Sequence, residues 1–221
     1  MEGEQFSARR FSKPRLGASL VPSREEGTIG MNMGNARFFL AAGVAIAALG
    51  VLATGGKAAS APFMVTSSSF ADGGMLTKKN AADDPMRMCG GENVSPALAW
   101  ANAPAKTKSF VVFMLDPEGL LGQGVSHWVG YNIPVNVTSF AEGEITKGSK
   151  NFVGGKGTRD NALYIGPCPP IGDSPHHYVF TVVATELEPT SLKPGMTRDE
   201  VYAAIKGHTL GGATIIGRFG R

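Results

Sequence analysis

Residues 176–187 read HHYVFTVVATEL, and this stretch decides the fold. Its density of Val, Thr, Phe and Tyr is typical of a β-strand. Side chains two positions apart on a strand share a face, so His176 and Tyr178 point the same way and His177 points oppositely. Phe180 and Val182 continue the first face. The stretch therefore predicts a strand that carries an imidazole and a phenol on one side.

Further strands are predicted on both sides of this one along the chain. The apolar run FVVFML, in a strand over 108–115, is typical of a strand buried on both faces. Strands are also predicted at 63–70, 127–133 and 213–218. The 221 residues include 30 Gly and 14 Pro, which favour turns and loops over long helices. The fold class is therefore mostly β, in a single domain.

One helix is predicted near the end of the chain. Thr197-Arg198-Asp199-Glu200 is a capping box, in which Thr197 caps the amide of Glu200 and Glu200 reaches back. Gly207 stands where a helix stop is expected. The sequence therefore predicts a short helix between these residues.

The first 61 residues differ from the rest. Residues 1–30 are polar and predict a disordered N-terminal extension or a mis-assigned start. Residues 38–53, FFLAAGVAIAALGVLA, carry no charge, follow Arg37 and precede Ala59-Ser60-Ala61. This order is typical of a secretory signal peptide, and the run is short of the roughly 20 residues of a membrane span. We expect a signal peptide over 31–61 cleaved near Ala61, rather than a retained anchor, and a periplasmic or secreted domain over 62–221.

The charge distribution argues against nucleic-acid binding. The net charge is only +3, and six basic residues lie before residue 40. The remainder is therefore close to neutral and lacks the basic surface that nucleic acid requires.

Two polar residues are candidates for a binding site besides those of the strand at 176–187. Asp116 follows the apolar strand at its exposed end. His127 begins another strand, with Val129 and Tyr131 expected on its face. Imidazole and phenol groups can bind an oxyanion, and a nearby carboxylate can orient an imidazole or bind an amine on a ligand.

Four motifs, in this order, resemble those of the phosphatidylethanolamine-binding protein family, which includes Raf kinase inhibitor protein. They are GENVSPALAW at 91–100, DPE at 116–118, HWVGYNIP at 127–134, and GPCPPIG at 166–172 followed by HHYVF at 176–180. The resemblance spans about residues 63–219. It implies an antiparallel β-sandwich, with a large central sheet, a smaller sheet and a few short helices.

The resemblance also implies a pocket for phosphate-like or acetate-like anions, including the phosphoethanolamine headgroup. The implied ligand-binding residues are Asp116, His127, Cys168, Pro169, His176 and Tyr178. Glu118 departs from the family pattern, where an Asp is usual. Animal relatives end in an additional helix at the pocket mouth; this chain stops without one, which predicts a more open mouth.

Cys89 and Cys168 are the only cysteines. In an oxidising compartment, two cysteines suggest one disulfide. Two buried thiols are the alternative, and spacing alone leaves both possibilities open.

The leading hypothesis is an exported binding protein for a small phosphate-like anion or phospholipid headgroup, with membrane contact only through the signal segment or the lipid ligand. The alternative is an inhibitor of a protease or kinase that acts through a protein–protein interface. An enzyme is the third class: His127, His176 and Asp116 could ligate a metal in principle. No H-E-x-x-H, C-x-x-C or G-x-S-x-G motif occurs, and strand alternation separates Ser126 from His127. We therefore expect no enzymatic activity, no metal and no cofactor.

Overall fold

The computed structural model describes residues 61–221, which form a β-rich domain of two sheets. The predicted N-terminal extension and, apart from Ala61, the predicted signal peptide lie outside the described residues. The strands are β1 (Met64–Thr66), β2 (Gly74–Met75), β3 (Leu98–Ala101), β4 (Ser109–Asp116), β5 (Val125–Pro134), β6 (Ser139–Phe140), β7 (Val153–Gly154), β8 (His176–Thr185) and β9 (Thr209–Phe219). The helical segments are a 3₁₀ turn (Lys78–Asn80), α1 (Gly119–Gly122), α2 (Glu144–Lys147) and α3 (Arg198–Ile205).

The larger sheet has six strands in the order β2-β9-β8-β4-β5-β7, and the smaller has three in the order β1-β3-β6. Neighbouring strands are antiparallel, except that β2 runs parallel to β9 at the edge. The predicted mostly β sandwich of a large and a small sheet is confirmed. No helix within residues 61–221 is long and apolar enough to cross a membrane.

Strand β4 lies at the centre of the larger sheet, between β5 and β8. Its apolar residues from Phe110 to Met114 are at most 2% exposed, as expected of a strand buried on both faces. One face packs against the smaller sheet, where Trp100 contacts Phe110 and Phe140 edge to face. This core fixes the end of β4, which carries Asp116.

The other face of the larger sheet is covered by α3. Thr197 and Glu200 form the predicted capping box, and Val201 and Ile205 are buried against β4 and β5. The predicted helix is therefore confirmed, and it stabilises the sheet from the face opposite the smaller sheet.

Strand β1 is shorter than predicted, ending at Thr66 rather than at residue 70. Ser67 explains the difference, because its hydroxyl donates to the carbonyl of Ala97 and accepts from the amide of Ser69. Such side-chain bonds to backbone compete with strand pairing.

A β-bulge at the start of β5 overturns the predicted face of His127. Trp128 pairs with Met114 while Ser126 pairs with Leu115, so His127 is the extra residue. The expected neighbours Val129 and Tyr131 pack beneath α3 instead. The bulge breaks the alternation on which the prediction rested, because two consecutive residues oppose one on the partner strand.

Candidate functional site

A cavity of about 230 Å³ lies beside the ends of β4, β5 and β8 that carry the polar residues. Of the six predicted ligand-binding residues, five line its wall: Asp116, His127, Cys168, Pro169 and His176. The sixth, Tyr178, is buried next to the wall, with its ring 5.2 Å from that of His127, edge to face. The structure thus brings together residues from four separate segments of the chain.

Asp116 is the last residue of β4 and is only 4% exposed, so its predicted place at an exposed strand end is wrong. One carboxylate oxygen accepts from the backbone amides of Glu118 and Gly119 at 3.0 and 2.9 Å. The other accepts from Nδ1 of His176 at 2.8 Å. Asp116 therefore holds both the following turn and the imidazole in place.

His176 is positioned to carry a charge. Burial disfavours the charged imidazole, but the hydrogen bond and negative charge of Asp116 outweigh it and raise the pKa of His176 above its ordinary value. With Nδ1 bound to Asp116, Nε2 is the ring nitrogen that can meet a ligand. A carboxylate oxygen of Asp173 lies 3.5 Å from this nitrogen.

His127, in contrast, lies in surroundings that favour the uncharged imidazole. Its Nδ1 donates to the carbonyl of Ile165 at 2.7 Å, because a carbonyl can only accept. Near-complete burial lowers the pKa of His127. This environment therefore favours a neutral ring whose Nε2 has a lone pair.

Tyr178 carries a buried hydroxyl with no hydrogen-bond partner within residues 61–221. Burial, together with the negative charge of Asp116, raises the pKa of Tyr178 far above the ordinary phenol value. The hydroxyl thus remains a neutral donor. An unpaired buried hydroxyl is costly, and binding sites are one place where such groups are kept.

The loop GPCPPIG forms one wall of the cavity. The amide of Gly166 donates to the side chain of Asn93 at 2.8 Å, and the carbonyl of Pro167 accepts from Ala82. A side chain at position 166 would collide with the backbone carbonyl of Asn80, which explains the glycine. The loop is therefore held against residues 80–93.

Cys89 and Cys168 form a disulfide, with their Cα atoms 5.4 Å apart. Because Cys168 lines the cavity, this bond ties the cavity wall to the segment that contains Arg87.

Sequence reasoning missed several wall residues, among them Arg87, Arg159, Leu120 and Leu121. The two leucines lie between Gly119 and Gly122, and an apolar pair inside a glycine-bounded turn could have been recognised as unusual. Glu118 also lines the wall. It binds His177 at 2.7 Å on the outer face of β8.

Asp116, Glu118 and His176 each bring a potential metal-ligating atom within 4.8 Å of the others. Asp116 already accepts three hydrogen bonds. Two come from backbone amides that cannot be released without opening the turn, and the third comes from His176. We therefore assign no metal to this cluster.

Comparison with known proteins places this geometry in a family. The model of the phosphatidylethanolamine-binding protein family matches residues 66–220. The chain belongs to this family. Among its relatives is the UPF0098 protein YbcL of Escherichia coli, which is 38% identical over 136 residues, covering 60% of this chain and 73% of YbcL. A UPF0098 protein of Methanothermobacter thermautotrophicus is 36% identical over 157 residues, 66% of this chain and 99% of the relative.

Solved structures agree with this assignment. The crystal structure of YbcL superimposes with a TM-score of 0.67 at 33% identity, covering 73% of this chain and 99% of YbcL. The phosphatidylethanolamine-binding protein homologue CT736 of Chlamydia trachomatis gives a TM-score of 0.62 at 28% identity, covering 72% of this chain and 97% of that protein. The family resemblance predicted from the four motifs is thus confirmed.

Proposed function

We propose that the chain is an exported binding protein whose cavity holds a phosphate-like anion, in particular a phospholipid headgroup. The observation that supports this most is the cluster of His176, His127 and the unpaired hydroxyl of Tyr178 at a small cavity. The Tyr178 hydroxyl is a hydrogen-bond donor without a partner among residues 61–221, and an oxyanion in the cavity would satisfy it.

Each group has a distinct part in anion binding under this proposal. His176, with its raised pKa, donates a charge-assisted hydrogen bond through Nε2, and Tyr178 donates a neutral one. With free phosphoethanolamine, a monoester, the lone pair on Nε2 of His127 accepts the P–OH of the singly protonated form. A membrane phospholipid is a phosphodiester without a P–OH, and with that ligand Nε2 takes up a proton and donates to the anion. A phosphate monoester has its second pKa near 6, so both forms occur around neutral pH.

The carboxylates of the wall favour a ligand that also carries a positive group. Glu118 and Asp173 line the cavity together with the histidines, and Asp173 is exposed. An ammonium group can bind them while the phosphate binds the imidazoles. Phosphoethanolamine has both groups, and inorganic phosphate has only one.

A binding role rather than catalysis is part of the proposal. The hydrolase and zinc motifs are absent from the sequence. In addition, Ser126 lies in register with Leu115, on the sheet face opposite the cavity. It is therefore a poor nucleophile for activation by His127, because a base must lie within hydrogen-bond reach of the group that it activates.

Calorimetric titration of the purified protein with phosphoethanolamine, inorganic phosphate and ethanolamine tests the proposed ligand. We expect phosphoethanolamine to bind more tightly than phosphate, and ethanolamine to give no measurable heat. Absence of binding by every phosphate-bearing ligand would contradict the proposal and favour the protein-inhibitor alternative.

Export is supported by the signal-like sequence and by the Cys89–Cys168 disulfide, since disulfides persist in oxidising compartments. We predict that N-terminal sequencing of the protein from its native host begins at Pro62 or within a few residues of it. Recovery of a mature protein that still begins at Met1 would contradict export by cleavage.

A further inference from the structure

Large apolar side chains are exposed on the loops that line the cavity. Among residues 61–221, ten such side chains are exposed, and half of them lie on three loops that border the cavity. These five form what we call the apolar collar: Met86, Met88, Leu120, Leu121 and Ile171. Single exposed apolar residues are ordinary, but a cluster around a polar pocket indicates an interaction surface.

The backbone holds the most exposed part of the collar in an unfavourable conformation. Leu120 and Leu121 have φ angles of +51° and +58°, in the left-handed region that leucine rarely adopts. Asp116 accepts the amide of Gly119, and Gly119 in turn accepts the amide of Gly124, which closes the turn. The side chain of Leu121 is fully exposed. A strained turn that presents leucines to solvent is a reason to look for a function.

The remaining collar residues are fixed to one another. The disulfide joins Cys89 to Cys168, and the guanidinium of Arg221 donates to the carbonyls of Arg87, Met88 and Pro169. The segment with Met86 and Met88 and the segment with Ile171 therefore form one preorganised surface. Preorganisation lowers the entropic cost of docking.

We propose that the apolar collar docks on the surface of a phospholipid bilayer, so that the cavity takes a headgroup while the lipid stays in the membrane. This inference rests on the proposed function. A cavity of about 230 Å³ is below the roughly 300–1,000 Å³ of pockets for drug-sized ligands. It accommodates a headgroup but not the acyl chains, which are unfavourable in water. A lipid bound in this way has to remain in its bilayer, and the collar is then the surface that meets the interface.

The charges beside the collar match a surface of lipid phosphates. Arg87 and Arg159 share a single carboxylate, that of Asp84, at 3.5 and 3.9 Å. The mouth therefore has guanidinium charge available for phosphates, which arginine binds with two hydrogen bonds.

Flotation with vesicles of phosphatidylethanolamine and phosphatidylcholine tests the proposal. The variant is Met86→Gln with Met88→Gln, which keeps side-chain length but removes apolar collar surface that lies outside the cavity wall. We expect vesicle binding to fall at least about tenfold, from the apolar area withdrawn from the interface. Calorimetric binding of soluble phosphoethanolamine should stay within about twofold of the original, because neither methionine lines the cavity.

Val135→Gln is the matched control. Val135 is a similarly apolar, exposed residue just beyond the opposite end of β5, and its replacement should leave vesicle binding unchanged. Vesicle binding that persists in the methionine variant would overturn the collar proposal. A wild-type protein that binds soluble phosphoethanolamine but no vesicles would also overturn it, would leave the proposed function standing, and would assign the collar to a protein partner. If the wild type binds neither, the proposed function fails and the collar proposal fails with it.

Discussion

At the scale of single residues, the site contains two histidines whose pKa values are shifted in opposite directions. His176 and His127 are the same side chain, yet Asp116 raises the pKa of one and burial lowers the pKa of the other. Tyr178 adds a hydroxyl that the described chain leaves unpaired. Together they provide a cationic donor, a neutral acceptor and a neutral donor, which can bind a singly protonated phosphate at three points.

The variant Tyr178→Phe distinguishes the contribution of the hydroxyl to folding stability from its contribution to ligand binding. Because the hydroxyl is buried without a partner, its removal should leave the free energy of unfolding unchanged or raise it by about 1 kcal/mol. Affinity for phosphoethanolamine should fall roughly 3- to 10-fold, the worth of one neutral hydrogen bond. Urea denaturation and calorimetry measure the two effects. A loss of stability above about 1 kcal/mol would show that the hydroxyl has a structural partner.

The two histidines should titrate on opposite sides of the ordinary value of about 6.5. An NMR pH titration of the imidazole signals should place His127 below this value and His176 above it. His127 should therefore reduce stability as the pH falls from 6.5 towards its folded pKa, since the unfolded chain binds the proton more readily. The contribution of His176 should be present below 6.5 and lost as the pH rises through its raised pKa. The reverse order of the two pKa values would contradict the site described above.

At the scale of elements, the strongly patterned segments could be predicted and the irregular ones could not. Strands β4 and β8 are rich in β-branched and aromatic residues, and both were predicted within two residues of their bounds. Strand β9 begins at Thr209 rather than 213, because Leu210-Gly211-Gly212 has little strand propensity but pairs with β8. The two-residue strands β2, β6 and β7 have no pattern long enough to detect.

In the candidate site, too, the regularly patterned features could be predicted from the sequence and the irregular ones could not. The shared face of His176 and Tyr178 follows from strand alternation and is confirmed by their burial, whereas His177 is half exposed on the other side. The position of His127 depends on a bulge, and bulges arise from pairing between strands rather than from the local sequence. The collar residues Leu120 and Leu121 depend on a left-handed turn that Asp116 stabilises from a distance of several residues.

The Cys89–Cys168 disulfide is the connection between elements that we expect to matter most for stability. It spans 79 positions, and removing it with Cys89→Ala and Cys168→Ala should lower the free energy of unfolding by roughly 2–4 kcal/mol. Phosphoethanolamine affinity should fall as well, because Cys168 belongs to the cavity wall. Denaturation of the wild type with and without reductant provides the control. If reduction has no effect on the wild type, the cysteines are not bonded in solution.

At the scale of the whole molecule, the two sheets and α3 serve to bring distant segments to one cavity. Residues 116, 127, 168 and 176 are far apart in sequence and reach the site because β4, β5 and β8 are neighbours and the disulfide closes the loop. The six-stranded sheet fixes the two imidazoles on β5 and β8, on either side of β4, and its opposite face is occupied by α3. The binding residues thus lie at one end of the face that packs against the smaller sheet, and α3 covers the other face.

The central claim is that this face binds a phosphate-bearing headgroup through His176, and calorimetry of two single variants tests it most directly. His176→Ala should weaken phosphoethanolamine binding roughly 10- to 150-fold, because a charge-assisted hydrogen bond contributes about 1.5–3 kcal/mol. His177→Ala, on the outer face, should change the affinity by less than about threefold. Circular dichroism confirms that both variants fold. Equal losses in the two variants, or no loss in His176→Ala, would contradict the account.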